Sequence, residues 1–111
     1  MIDRKNFYIN GQWVNPKSKE EIKVVNPATE QDCAVIALAN KDDVNDAVVA
    51  AKNAYDTWAF TSKEERIQLL EKLYENYKKR WNDIAEAITM EMGAPKDFST
   101  KLQAGTGAAH I

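Results

Sequence analysis

The stretch FYINGQWV, residues 7–14, decides how the first third of the chain folds. Two β-prone runs flank the dipeptide Asn10-Gly11. Asn-Gly favours a type I′ turn, in which both central residues adopt positive φ, and two residues are the right length to connect two antiparallel strands. Residues 7–14 are therefore predicted to form a β-hairpin.

Two further strands are expected downstream of the hairpin. Residues 22–25 and 33–38 are β-prone, and a turn over residues 26–31 separates them. Pro27 fixes its own φ and pushes Asn26 towards extended geometry, which suits the end of a strand. Residues 1–39 are thus predicted to form a β-hairpin and meander of four short strands.

The pattern changes to a helical period at Asn40, a residue type that caps helix N-termini. The apolar positions behind it predict an amphipathic helix ending near Phe60. These positions are Val44, Ala47, Val48, Ala51, Ala54, Tyr55 and Trp58.

A second helical period runs from the Thr61-Ser62 region to Met92, as one long helix or as two with a restart at Asn82. Gly93 suits the position after a helix end, and Pro95 prevents continuation. The start of this second helical segment fits a capping box in two registers: Thr61 with Glu64, and Ser62 with Glu65.

A last helix through Leu102 is expected, capped by Asp97 or Ser99. Residues 40–111 are therefore predicted to be helical, and the chain is an α+β piece with short N-terminal strands followed by about three α-helices. The apolar stripe of the long helix is wider than one hairpin and one helix cover, so a further packing partner is expected.

Composition excludes several classes of protein. Hydrophobic residues make up 44% of the chain and the net charge is −2, so no basic face for nucleic acid is expected. Cys33 is the only cysteine, which excludes an internal disulfide and favours a reducing compartment. Residues 1–10 lack the apolar run of a secretory signal, and no stretch is long enough to span a membrane. A cytoplasmic location is expected.

The residues able to carry chemistry are few, and most have a structural interpretation. A catalytic thiol needs a neighbouring base or a helix N-terminus. Cys33 lies in a strand pattern and is interpreted as a small core residue. His110 has no second histidine with which to bind a metal. Gly105-Thr106-Gly107 departs from the dinucleotide fingerprint, because position 110 is His, and indicates close helix packing or a frayed end.

Glu91 lies in the last turn of a helix, where the helix dipole disfavours a carboxylate. A solvated acid, an ion pair with Lys96 and a bound metal ion all remain open for it. The three tryptophans and four tyrosines follow the hydrophobic periods and are predicted to be mostly core.

Several motifs together resemble the opening of an aldehyde dehydrogenase. They appear in the order and spacing of that superfamily across nearly all 111 residues. They are residues 8–14, 25–29, 42–44 and 47–52, then Trp58, Glu65-Arg66 with Leu70 and Leu73, and residues 88–95.

The resemblance implies the N-terminal part of an NAD(P)-dependent enzyme with an α/β, Rossmann-like cofactor domain. The complete enzyme would oxidise an aldehyde to a carboxylic acid through a thiohemiacetal, hydride transfer and thioester hydrolysis. Members of the family use a cysteine nucleophile, a glutamate base and an asparagine that lie beyond residue 111. No catalytic or cofactor-binding residue is therefore assigned here, and neither NAD nor NADP is expected to bind this chain alone.

Two weaker assignments are carried over by position. Glu91, with a backbone carbonyl near Val24, matches a monovalent-cation site of some members. Leu102 and Thr106 match positions that line the substrate entrance. The helix that carries them runs on in family members, and here it is expected to be cut short.

Two other functions remain open. The chain could be a truncated, non-catalytic interaction module that self-associates into a homo-oligomer through exposed apolar helix faces, or docks on full-length relatives. A small enzyme built on Cys33 or His110 is the third hypothesis.

Overall fold

The computed structural model describes all residues from Met1 to Ile111. The chain divides into two compact units. The first contains Met1–Val25 and Asp32–Phe60, and the second contains Asn26–Gln31 and Thr61–Ile111.

The strands form two small sheets. A two-stranded sheet pairs β2 with β3, and a three-stranded sheet has the order β1-β5-β4. The strands are β1 (Ile2–Arg4), β2 (Phe7–Ile9), β3 (Gln12–Val14), β4 (Glu21–Asn26) and β5 (Gln31–Ala37). The strands predicted over 22–25 and 33–38 are therefore confirmed, with ends shifted by one or two residues.

The predicted hairpin and its type I′ turn are confirmed. Phe7 pairs with Val14 and Tyr8 with Trp13 in the antiparallel ladder. Asn10 and Gly11 both have positive φ, 52° and 76°, as a type I′ turn requires.

Strand β1 was not predicted, so the chain has five strands rather than four. It pairs in parallel with β5, and Ile2 lies opposite Ala34. Ala34, Val35 and Ala37 of β5 are buried and form the core of the first unit.

Helix α1 (Lys41–Trp58) begins at the predicted cap, Asn40. The Asn40 side chain accepts the N–H groups of Asp42 and Asp43, and the Asp43 carboxylate accepts the N–H of Asn40 in return. This reciprocal box satisfies N–H groups that the first helical turn leaves without partners.

The second helical period forms two helices, α2 (Lys63–Lys79) and α3 (Trp81–Met92). Ser62 and Glu65 form the capping box of α2. The break lies at Arg80, whose ψ of 14° leaves the helical region, so a restart at Asn82 is wrong. Gly93 ends α3 with the expected positive φ of 69°.

The chain ends in further helical structure that runs beyond Leu102. It consists of α4 (Lys96–Phe98), a π-helical turn (Ser99–Gln103) and α5 (Ala104–Ala109). Neither Asp97 nor Ser99 caps it, because Pro95 precedes α4 and no side chain caps that end. Residues 96–109 are called the terminal helix below.

The prediction that the tryptophans and tyrosines are mostly core is wrong. Trp13 is 70% exposed, and Tyr8, Tyr55 and Tyr74 are also exposed. The buried apolar side chains are small, because this chain provides no second surface over the larger ones. They are Ala34, Val35, Ala37, Ala85 and Ala104.

The apolar face of α2 is also exposed, as the width of its stripe indicated. Ile67, Leu70 and Leu73 each keep about half of their surface open to solvent. None of the helices has the length and apolar character needed to cross a bilayer.

Candidate functional site

Leu102 and Thr106 lie one helical turn apart on one outward side of the terminal helix. Leu102 is 58% exposed and Thr106 is exposed. The Thr106 hydroxyl donates a hydrogen bond to the Leu102 carbonyl at 2.9 Å, which turns its hydrogen inward along the helix. The structure thus brings the two predicted entrance residues together as one small surface, called the Leu102 face below.

Two aromatic side chains donate hydrogen bonds to backbone carbonyls of the same helix. Tyr77 donates its hydroxyl to the Ala104 carbonyl at 2.9 Å, and the Trp81 indole N–H donates to the Thr100 carbonyl at 2.8 Å. The rings meet edge to face with centroids 6.0 Å apart. Ala104 beneath them is fully buried.

Gly105-Thr106-Gly107 serves this packing, which confirms the interpretation as a helix contact. A Cβ on Gly107 would lie 2.3 Å from the Tyr77 hydroxyl oxygen, so only glycine fits beneath the ring. A Cβ on Gly105 would lie 3.9 Å from the Trp81 ring, an ordinary van der Waals contact. The segment is helical and its two glycines lie against aromatic rings, so it does not form an open cradle for a phosphate.

Cys33 lies half-buried in β5, and its thiol donates to the Val24 carbonyl at 3.2 Å. No carboxylate or imidazole is bonded to it. A thiol in that position lacks the base or helix N-terminus that would make it a nucleophile. His110 is exposed beyond the end of α5.

Glu91 is exposed in the last turn of α3. Of the three alternatives left open for it, the ion pair with Lys96 is not formed, and the exposure agrees with a solvated acid. Val24 belongs to the first unit and Glu91 to the second. No three His, Cys, Asp or Glu residues are grouped so that they could hold a metal ion. A monovalent-cation role for Glu91 and Val24 stays a prediction.

The sequence reasoning missed the bonding of Asp43. Its side chain is 4% exposed and accepts the backbone N–H groups of Lys17, Ser18 and Asn40. The bond from Lys17 comes first among the causes that hold the pKa of Asp43 below its ordinary value of 3.8, and those from Asn40 and Ser18 add to it. The available signal was an acid three residues after an Asn cap, the spacing of a capping box.

Comparison with known proteins gives one consistent family. Residues 13–111 match the family model described as "Aldehyde dehydrogenase family". The whole chain is 45% identical to 3-succinoylsemialdehyde-pyridine dehydrogenase of Pseudomonas sp, of which it covers 24%. The chain therefore spans about a quarter of the length of this relative.

Solved structures agree with the sequence match. An aldehyde dehydrogenase from Bartonella henselae superposes with a TM-score of 0.97 at 44% identity, over 99% of this chain and 23% of that one. Aldehyde dehydrogenase C from Pseudomonas syringae, a cysteine-to-alanine variant in complex with NAD+ and octanal, gives 0.93 at 40% identity, over 96% and 22%.

Proposed function

The chain belongs to the aldehyde dehydrogenase family, and from that premise we propose that it is the N-terminal part of an NAD(P)-dependent enzyme that oxidises an aldehyde to a carboxylic acid. The observation that carries the proposal is the match over the whole chain, 45% identity in sequence and a TM-score of 0.97 over 99% of its residues. In this proposal residues 1–111 are a piece of a cytoplasmic enzyme's cofactor-binding domain.

The part of the site that this chain supplies is the Leu102 face. An exposed leucine gives an aldehyde's hydrocarbon portion an apolar surface. The Thr106 hydroxyl donates its hydrogen to the Leu102 carbonyl, so it offers an incoming aldehyde no free O–H donor. We assign Leu102 and Thr106 to the substrate entrance of the complete enzyme.

The chemistry itself would come from residues outside this chain. Cys33 is held by the Val24 carbonyl and has no bonded base. Gly105 and Gly107 pack against Trp81 and Tyr77, so these glycines serve helix packing in this chain. The isolated 111-residue chain is therefore proposed to be inactive, and NAD or NADP would bind only to the complete enzyme.

The test is an assay of aldehyde-dependent NAD(P)+ reduction. We expect activity from the natural polypeptide that carries this sequence and none from the purified 111-residue chain. A Cys33→Ala variant of the chain distinguishes a thiol activity of the chain from contamination. Reduction by the clean chain that disappears in Cys33→Ala would overturn the proposed inactivity.

The exposed face of α2 favours a second candidate, a non-catalytic module that self-associates. Ile67, Leu70 and Leu73 form an open apolar surface on one helix, and such surfaces mark sites of association. Sedimentation of the chain over a range of concentrations tests this. Concentration-dependent association that Leu70→Lys abolishes, and that Lys72→Gln leaves intact, supports the module; a monomer at every concentration rejects it.

A further inference from the structure

The terminal helix contains one turn with an altered hydrogen-bond register. The backbone N–H of Ala104 donates to the carbonyl of Ser99, five residues earlier. In an α-helix the same N–H would donate to Thr100, four residues earlier. Such π turns accommodate one extra residue, are rare, and are found frequently at functional sites.

The change of register releases the carbonyl of Thr100 from the helical ladder. A half-buried carbonyl without a partner costs free energy comparable to a lost hydrogen bond. The indole N–H of Trp81 donates to that same carbonyl at 2.8 Å. A side chain nineteen residues away in sequence thus replaces the hydrogen bond that the π turn removes.

The π turn also decides which residues face outward. In a continuous α-helix, with about 100° between residues, Ala104 would lie about 140° from Ser99 around the axis, and Gln103 only about 40° from it. In the structure Ser99 and Ala104 are both fully buried, whereas Leu102 is 58% exposed. The extra residue therefore brings Ala104 onto the buried side of the helix.

We propose that Trp81 is a positioning residue that selects the π register of residues 99–103 and so presents Leu102 outward. Its indole N–H stabilises the one register in which the Thr100 carbonyl is free. The register is independent of any activity. Its consequence for an aldehyde entrance rests on the function proposed above.

Scalar couplings across hydrogen bonds test the register directly by NMR on the full, isotope-labelled 111-residue chain. The native chain is expected to show a coupling between the Ala104 nitrogen and the Ser99 carbonyl carbon. Trp81→Phe keeps a ring and removes the donor, so the Ala104 coupling is expected to move to Thr100. An unchanged Ser99 coupling in Trp81→Phe would overturn the proposal.

Tyr77→Phe is the matched control, because Tyr77 donates to the same helix but not to the released carbonyl. It is expected to keep the Ser99 coupling, and a shift to Thr100 in this variant also counts against a specific role of Trp81. If Trp81→Phe does not fold, the native chain decides the matter. A coupling from the indole nitrogen to the Thr100 carbonyl, with slow indole exchange, supports the proposal, and its absence rejects it.

Discussion

The carboxylate of Asp43 accepts the backbone N–H of Lys17 at 2.7 Å, which ties the first turn of α1 to a loop 26 residues earlier. A second oxygen of the same carboxylate accepts the N–H groups of Ser18 and Asn40. One buried acid therefore fixes the helix cap and the loop after the hairpin together.

Asp43 should make stability depend on pH. Its pKa is lowered in the folded chain, first by the bond from Lys17, so the unfolded chain binds a proton at higher pH than the folded one. The contribution of Asp43 is complete above the ordinary value of about 3.8 and is lost as pH falls from there through the folded pKa. Urea unfolding in steps from neutral to acid pH measures it.

Asp43→Asn should lower the unfolding midpoint at neutral pH and flatten the acid part of this profile. The acid dependence due to Glu65 should remain, because Ser62 lowers the pKa of that carboxyl as well. Asp42→Asn is the matched control, since Asp42 lies in the same helical turn but its carboxylate accepts none of these bonds. An Asp43→Asn profile as steep as that of the native chain would contradict the assignment.

Gly11→Ala should destabilise the hairpin by about 1–2 kcal/mol, the cost of placing an L-residue in the left-handed region. A Cβ there would meet no atom within 4 Å, so the effect is conformational and not steric. Asn10→Gly, at φ 52°, is the control and should be nearly neutral. Urea titration followed by tryptophan fluorescence reports both, and equal losses for the two variants would argue against a type I′ turn.

Ser62→Ala should cost about 1 kcal/mol, because the N–H of Glu65 loses the Ser62 hydroxyl 3.1 Å away. Ser62→Gly should cost only a few tenths of a kcal/mol. Thermal unfolding followed by circular dichroism distinguishes the two substitutions. If neither alanine nor glycine at position 62 lowers the unfolding temperature, the hydroxyl cap does not contribute to the stability of α2.

Gly107→Ala should destabilise the second unit by about 1–3 kcal/mol, the usual range for overpacking. The new methyl group would overlap the Tyr77 hydroxyl, and moving the ring away would break its hydrogen bond to the Ala104 carbonyl. Gly105→Ala should instead be neutral or stabilising by up to about 1 kcal/mol, because alanine favours a helix more than glycine does. Its Cβ would lie 3.9 Å from the Trp81 ring, which is an ordinary contact. Adding Tyr77→Phe should recover part of the stability that Gly107→Ala loses. If the stability losses of the two single variants simply add in the double variant, the proposed clash between residue 107 and the Tyr77 hydroxyl is excluded.

The sequence predicted the elements whose determinants are local. Asn10-Gly11 forms its own turn, Asn40 caps the N–H groups of residues two and three positions later, and Gly93 adopts the positive φ that glycine tolerates. Each of these choices depends on neighbours within one turn of chain. The turn, the helix cap and the helix end could therefore be predicted without knowledge of the rest of the fold.

The elements that depend on distant partners could not be predicted. Residues 2–4, two of them charged, become a strand only by pairing with residues 34–36. The π turn depends on Trp81, nineteen residues before Thr100. The hydrophobic period predicted that Trp13 is a core residue, but the period does not specify whether another element packs against that face, and Trp13 is exposed. Resemblance to the family, in contrast, predicted Leu102 and Thr106 as a pair.

The central claim, that this sequence is part of a larger aldehyde dehydrogenase, is tested most directly by the mass of the natural polypeptide. An antibody raised against the 111-residue chain captures it from the native source, and intact mass spectrometry measures it. We predict a species about four times heavier than 12.6 kDa, since the chain covers 24% of its relative. A natural product of 12.6 kDa alone would contradict the claim.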